Sequence, residues 1–151
     1  LFLNVNINLA EINWLLFLIS LLIGVIMLAM MGLILAGISL LIVNNVWFIG
    51  DAVAGGLFLF SGAIFPLEVL PVWLRPIGFA MPVTYWLELL RRSLVGHIAD
   101  AFPTLQGFSN LQLIGILIGL TAIFTVVAFF LFRHCEHVAQ EKGLLDRVTN
   151  Y

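Results

Sequence analysis

Three charged side chains lie close together in an otherwise apolar stretch. Glu88, Arg91 and Arg92 are spaced three and four residues apart, so on a helix the carboxylate can pair with either guanidinium. Thr84 falls on the same narrow side of that helix, and we call these four residues the polar stripe. Charges inside a membrane cost ~2.5–3.5 kcal/mol each on insertion scales and are usually paired and functional. The stripe has two interpretations. It either faces a translocation path or stabilises its gate, or it belongs to an interfacial helix whose charges contact lipid headgroups.

The remaining reactive residues do not form a catalytic or metal-binding pattern. His134 and His137 belong to a His-Cys-Glu-His run, but a zinc site normally needs four ligands, and the sequence has no second cluster. We therefore interpret the run as polar residues at a membrane exit. The sequence has no H-E-x-x-H, no G-x-S-x-G and no phosphate-binding glycine loop. We predict a chain that is not an enzyme and that holds no metal or cofactor of its own.

The composition points to a lipid environment. Of the 151 residues, 63% are hydrophobic and 9% are charged, whereas soluble domains have roughly half and a quarter. One domain of this size cannot hide so much apolar surface from water. The net charge of −2, without a basic run, gives nucleic-acid binding no electrostatic support. Residue 1 is Leu and no basic leader follows it, so we interpret the chain as part of a longer protein.

Three apolar stretches predict an all-α integral membrane protein. A transmembrane helix needs about 20 apolar residues, and the predicted spans are 14–43, 46–65 and 111–132. Asn44 and Asn45 would form a polar turn between the first two spans. Pro66 would end the second, because proline removes a hydrogen-bond donor and clashes with the preceding turn. The polar residues 133–151 would form a tail outside the membrane.

Four prolines interrupt residues 66–82, between the second and third spans. The segments that they leave within residues 67–81 are too short to cross a bilayer, as is a predicted helix over 83–95. Broken helices occur at membrane depth only where protein or a water-filled cavity surrounds them. We therefore predict re-entrant or interfacial helices over 66–98, and a plain apolar loop outside the membrane is the alternative. The prolines are Pro66, Pro71, Pro76 and Pro82.

Small residues line one side of two predicted spans. In lipid, such residues let helix backbones approach closely, so they predict an interface within the chain or with another subunit. The alternative is the general richness of membrane helices in glycine and alanine. The residues are Ala29, Gly32 and Ala36 in the first span, and Gly115, Gly119 and Ala122 in the third.

The positive-inside rule gives only a conditional orientation. The tail carries Arg133, Lys142 and Arg147, and the region between the second and third spans carries three arginines as well. If the helix over 83–95 dips into the membrane, Arg91 and Arg92 leave the count. The tail is then predicted to be cytoplasmic.

The proline-rich region resembles the permease subunits of ABC-2 type exporters. The shared pattern is a span ending in Ser-Gly, an aromatic residue and proline, followed by Leu-acidic, Leu-Pro, Trp-Leu and a Pro-x-Thr-Tyr helix that ends in acidic-x-x-Arg. Met81 departs from it, because the family usually has asparagine before that proline. The matching residues are Ser61, Gly62, Phe65, Pro66, Leu67, Glu68, Leu70, Pro71, Trp73, Leu74, Pro82, Thr84, Tyr85, Glu88 and Arg91.

The resemblance implies that residues 1–151 are the C-terminal half of a six-span permease in the cell membrane, with a cytoplasmic C-terminus. Its implied partners are a nucleotide-binding ATPase subunit, which holds ATP and Mg²⁺, and a second permease copy. The substrate would be an amphiphile such as a drug, a lipid or a lipid-linked glycan, which is moved out of the cytoplasm.

The resemblance also implies a gate at the outer face. Residues 66–98 would form a lid there, hinged at Pro66, Pro71 and Pro82 and stabilised by Tyr85 and the charged residues of the polar stripe.

Two other classes of protein remain open. A secondary transporter or channel also uses broken helices. The other class is a membrane assembly protein without transport activity, which the small-residue sides by themselves would suit.

Overall fold

A computed structural model describes residues 12–42, 46–63, 66–95 and 105–142 of the chain, and all of its regular elements in these ranges are helices. In chain order they are α1 (Trp14–Leu41), α2 (Val46–Phe60), a 3₁₀ turn (Leu67–Val69), α3 (Arg75–Ala80), α4 (Pro82–Val95) and α5 (Asn110–Glu141). The prediction of an all-α chain is confirmed for these residues. The predicted turn at Asn44 and Asn45, residues 96–98 of the re-entrant region and residues 143–151 of the tail lie outside them.

The helices α1 and α5 are long and apolar enough to cross a membrane, with 28 and 32 residues. Only 17% and 22% of their most apolar windows are buried inside the chain. A core helix of a soluble protein would be mostly buried, whereas these two present most of their apolar surface outward. They are therefore candidate membrane spans, which agrees with the composition.

Side chains at the helix starts explain where both long helices begin. The Asn13 side chain accepts a hydrogen bond from the backbone N–H of Leu16 at 3.1 Å. Ser109 and Gln112 form a capping box, in which each side chain accepts a bond from the other residue's backbone N–H. Both arrangements satisfy N–H groups that the first turn of a helix leaves without partners.

The helices α1 and α5 pack side by side and run parallel. Near their ends, Gly37 lies so close to Phe132 that a Cβ on the glycine would be 3.2 Å from the Cα of Phe132. Near their beginnings both are joined to α4, α1 through Asn13 and α5 through Asn110. The chain must therefore return between the end of α1 and the start of α5.

The helix α2 is shorter than the predicted span over 46–65, so a third span is not confirmed. It ends at Phe60, where Ser61 and Gly62 bend the chain and Gly62 adopts a φ of 71°. Glycine takes this left-handed conformation without steric cost. Its 15 residues cover about 22 Å, less than a hydrocarbon core of about 30 Å.

The helix α1 ends at Leu41, and α5 continues without a break to Glu141. The membrane crossings over 14–43 and 111–132 stay predictions, because the bounds of a helix do not fix where it leaves the membrane. A helix can continue past a change from apolar to polar residues, and no glycine or proline occurs between Phe132 and Gly143.

Candidate functional site

The helix α4 descends alongside α1 in the opposite direction. The backbone N–H of Asn13 donates to the carbonyl oxygen of Ser93 at 3.1 Å, and further along α1 the indole of Trp86 lies directly over Gly24. The rise of an α-helix puts Gly24 about 16 Å from Asn13. The proline-broken start of α4 therefore lies beside the middle of a candidate span, while its end lies level with the start of that span.

Glu88 is the centre of the polar stripe and is 2% exposed. Its Oε2 accepts a hydrogen bond from Nη1 of Arg91 at 3.2 Å, and its Oε1 accepts one from Nε of Arg92 at 3.0 Å. We call these three residues the Glu88 cluster. Both pairings expected from the spacing therefore form at once, on a side of α4 that faces other parts of the chain.

Arg91 connects the cluster to the end of α2. Its Nη2 donates to the carbonyl oxygen of Gly62 at 2.7 Å. This carbonyl belongs to the bend in which Gly62 has its positive φ. The guanidinium thus fixes the bend to α4 although the two residues are 29 positions apart in the chain.

Arg92 connects the cluster to the start of α5. Its Nη2 donates to the carbonyl oxygen of Leu105 at 2.7 Å, and its Nη1 donates to the carbonyl oxygen of Phe108 at 2.7 Å. Nη1 also contacts Oδ1 of Asn110 at 3.1 Å. One buried carboxylate therefore orients two arginines that hold the end of α2 and the start of α5 against α4. An arrangement in which all three charges contact headgroups does not fit the burial of Glu88.

Thr84 and Tyr85 stabilise the break that Pro82 causes between α3 and α4. Pro82 has no N–H to continue the helical bonding. In place of that bonding, the Thr84 hydroxyl donates to the carbonyl oxygen of Gly78 at 2.7 Å, and the Tyr85 hydroxyl donates to that of Phe79 at 2.8 Å.

Sequence reasoning placed Thr84 on the polar stripe but did not identify this role. A proline followed at two and three positions by hydroxyl-bearing side chains is the signal that could have found it, because such side chains can replace the missing backbone donor.

Removing either hydroxyl should loosen the break without changing the size of the side chain. We expect Thr84→Val and Tyr85→Phe each to lower the free energy of unfolding by about 1 kcal/mol, because a buried carbonyl loses a donor. Chemical unfolding in mixed micelles measures the effect.

Thr125→Val is the matched control for this prediction. The Thr125 hydroxyl donates to the carbonyl of Thr121 within α5, where the backbone bonding of the helix persists without it. Equal losses in the control and in Thr84→Val would refute the proposed role of Thr84.

The hinge prolines and the glycine between them lie on the path from α2 to α4. Pro66 precedes the 3₁₀ turn and Pro71 follows it. Gly78 in α3 is buried, and a Cβ there would lie 2.5 Å from Cδ2 of Leu67 and 2.7 Å from the carbonyl oxygen of Phe60. This close fit holds α3 against the end of α2.

The six small residues predicted to mediate helix packing face outward from the described part of the chain. All are exposed, and a Cβ on Gly32, Gly115 or Gly119 would have no neighbour within 4 Å. Close helix contacts within the chain occur instead at Gly24 and Gly37. Their predicted role in packing against another subunit stays a prediction. The six are Ala29, Gly32, Ala36, Gly115, Gly119 and Ala122.

The His-Cys-Glu-His run lies within α5 and does not converge on a site. His137 pairs with Glu141 at 3.4 Å on an exposed surface, whereas Cys135 is buried. Within the described ranges, no group of three potential metal ligands occurs.

Comparison of the chain with protein-family models, with curated proteins and with solved structures finds no match.

Proposed function

We propose that this chain is the C-terminal half of the permease of an ATP-driven ABC-2 type exporter. The observation that carries the proposal has two parts. The helix α4, which begins at a proline break, lies beside the middle of a candidate span, and the buried Glu88 cluster joins it to α2 and α5. This combination suits a movable element that closes one end of a transport path. The sequence pattern over residues 61–91 adds the family resemblance.

The direction of the helices supports three crossings. Because α1 and α5 run parallel, the chain must cross back between them, and α2 ends near Arg91, which lies towards the end of the bundle where α1 begins. The helix α2 alone is shorter than a bilayer, so crossing requires local thinning of the membrane or help from flanking residues. In this arrangement α4 is re-entrant from the outer side, and the end of α5 is cytoplasmic.

The Glu88 cluster would stabilise the closed position of the gate. With α4 held to the bend after α2 and to the start of α5, the outer end of the path is covered. Movement of α4 away from α1 requires that Arg91 and Arg92 release their backbone acceptors. The break at Pro82 supplies a hinge for this movement, and Gly78 fixes the other side of the hinge.

The proposed substrate is an amphiphile. An apolar groove of about 330 Å³ lies between α1, α2 and α5, and its lining includes Leu28, Gly32, Leu57 and Phe124. A groove without polar side chains fits the hydrocarbon part of such a molecule. ATP hydrolysis is assigned to a separate or fused nucleotide-binding subunit, and the permease is proposed to work as a dimer.

The proposal predicts ATP-coupled export by the full-length protein. We expect it to co-purify with an ATPase encoded beside it and to extrude fluorescent amphiphiles from proteoliposomes when ATP is supplied. A variant of the ATPase that lacks its Walker lysine is the control and should abolish extrusion. Transport that follows an ion gradient and ignores ATP would contradict the proposal and favour a secondary transporter. Absence of any transport would favour an assembly protein.

A further inference from the structure

An exposed apolar ridge lies on the short segment between α2 and α3. Val69, Val72 and Trp73 are 71%, 74% and 76% exposed. The other side of the same segment is buried, with Leu67 and Leu70 in contact with the rest of the chain. The segment is therefore apolar on both its buried and its outward side, and water as the only neighbour of the outward side would disfavour this.

The backbone of this segment satisfies many of its own polar groups. The N–H groups of Val69, Leu70 and Leu74 donate to carbonyl oxygens three residues earlier. Arg75 adds bonds from Nε to the carbonyl of Leu70 at 3.0 Å and from Nη2 to that of Glu68 at 2.7 Å. Pro66, Pro71 and Pro76 have no N–H to satisfy. At the membrane interface, water and headgroups can bond the backbone groups that remain, which the hydrocarbon core could not.

The position of the segment fits the membrane interface better than the hydrocarbon core. Gly78 packs against the carbonyl of Phe60, which places the segment at the end of α2. Phe58 and Leu59 present an outward apolar surface just before that end. The exposed Glu68 and the half-buried Arg75 flank the ridge, and charges of this kind remain at headgroup level. Tryptophan is enriched at that level as well.

We infer that Val69, Val72 and Trp73 form an anchor that inserts into the interface of the outer leaflet. The anchor would hold the segment before α3 in the lipid while α4, beyond the break at Pro82, stays free to move. The inference rests on the membrane location within the proposed function. It adds a lipid partner and a fixed point to the proposed gate.

Tryptophan fluorescence of the full-length protein in liposomes tests the anchor. In one variant Trp73 is the only tryptophan, with all others replaced by phenylalanine, and in a matched variant Trp14 is the only one. Trp14 is exposed at the start of α1 and reports membrane insertion of the candidate span. The quenchers are phosphatidylcholines brominated either near the headgroup or near the chain end, and acrylamide in the water.

We expect Trp73 to be quenched more strongly by shallow bromines than by deep ones, and several-fold less by acrylamide than free tryptophan is. Full quenching by acrylamide without quenching by bromine would overturn the anchor, because the ridge would lie in water. Protection from every quencher would overturn it too, because protein would cover the ridge. If Trp14 also escaped the brominated lipids, the membrane location itself would fail. If only Trp73 escaped them, the anchor alone would fail.

Discussion

Replacing Glu88 with alanine is expected to destabilise the protein by about 3 kcal/mol, at the lower end of the range for breaking a buried ion pair. The carboxylate is 2% exposed and bonds both arginines, so its loss removes the charge partner of two guanidinium groups in a largely buried position. The value lies at the lower end because both arginines keep some contact with solvent. Chemical unfolding in mixed micelles measures the loss.

Two further variants separate the role of the cluster from a general effect of charge. Glu68→Ala removes an exposed carboxylate. The bond from Arg75 goes to the backbone carbonyl of residue 68 and remains, so the free energy of unfolding should change by less than about 0.5 kcal/mol. Glu88→Gln keeps the shape and one acceptor, and should fall between the two. If Glu88→Ala were no worse than Glu68→Ala, the cluster would hold nothing in place.

Adding a single methyl group at Gly24 is expected to disturb the contact between α1 and α4. A Cβ on Gly24 would overlap the Nε1, Cε2 and Cδ1 atoms of the Trp86 ring. Overpacking of this kind costs about 1–3 kcal/mol, because the indole must rotate away from α1 or the helices must separate. Unfolding of Gly24→Ala in mixed micelles measures this cost, and we expect larger replacements to prevent assembly of α4 against α1.

Gly32→Ala is the matched control in the same helix, since a Cβ there meets no atom of the described residues within 4 Å. It should be neutral or slightly stabilising, because alanine favours a helix by about 1 kcal/mol over glycine. Replacing the indole by the smaller leucine side chain in the double variant Gly24→Ala/Trp86→Leu should recover part of the lost stability. A double-mutant cycle measures the coupling energy between the two positions. Among the described residues, none accepts a hydrogen bond from the buried indole Nε1, so Trp86→Leu alone removes one unfavourable group. Independent effects of the two substitutions would refute the contact.

The pairings inside α4 were predictable from sequence, but the partners of α4 were not. The bonds from Glu88 to Arg91 and Arg92 follow from helical spacing alone. By contrast, Arg91 reaches Gly62 and Arg92 reaches Leu105 across long stretches of chain, and the period of a helix contains no information about what lies opposite it.

The same limit applies to the glycines of α1. Nothing in the sequence of α1 distinguishes Gly24 from Gly32. Gly24 matters for packing because Trp86 of α4 lies against it. Hydropathy located the start of α1, but it does not predict that α5 continues without a break to Glu141. Hydropathy describes the solvent around a helix, whereas capping and breaking residues decide where the helix begins and ends.

The Glu88 cluster has an electrostatic consequence beyond its bonds. The side chains of Glu88, Arg91 and Arg92 are only 3%, 25% and 17% exposed. Dissolved salt screens buried and partly buried charge pairs much less than exposed ones. The bonds that hold α4 to its neighbours should therefore persist at ionic strengths that weaken a pair on the surface.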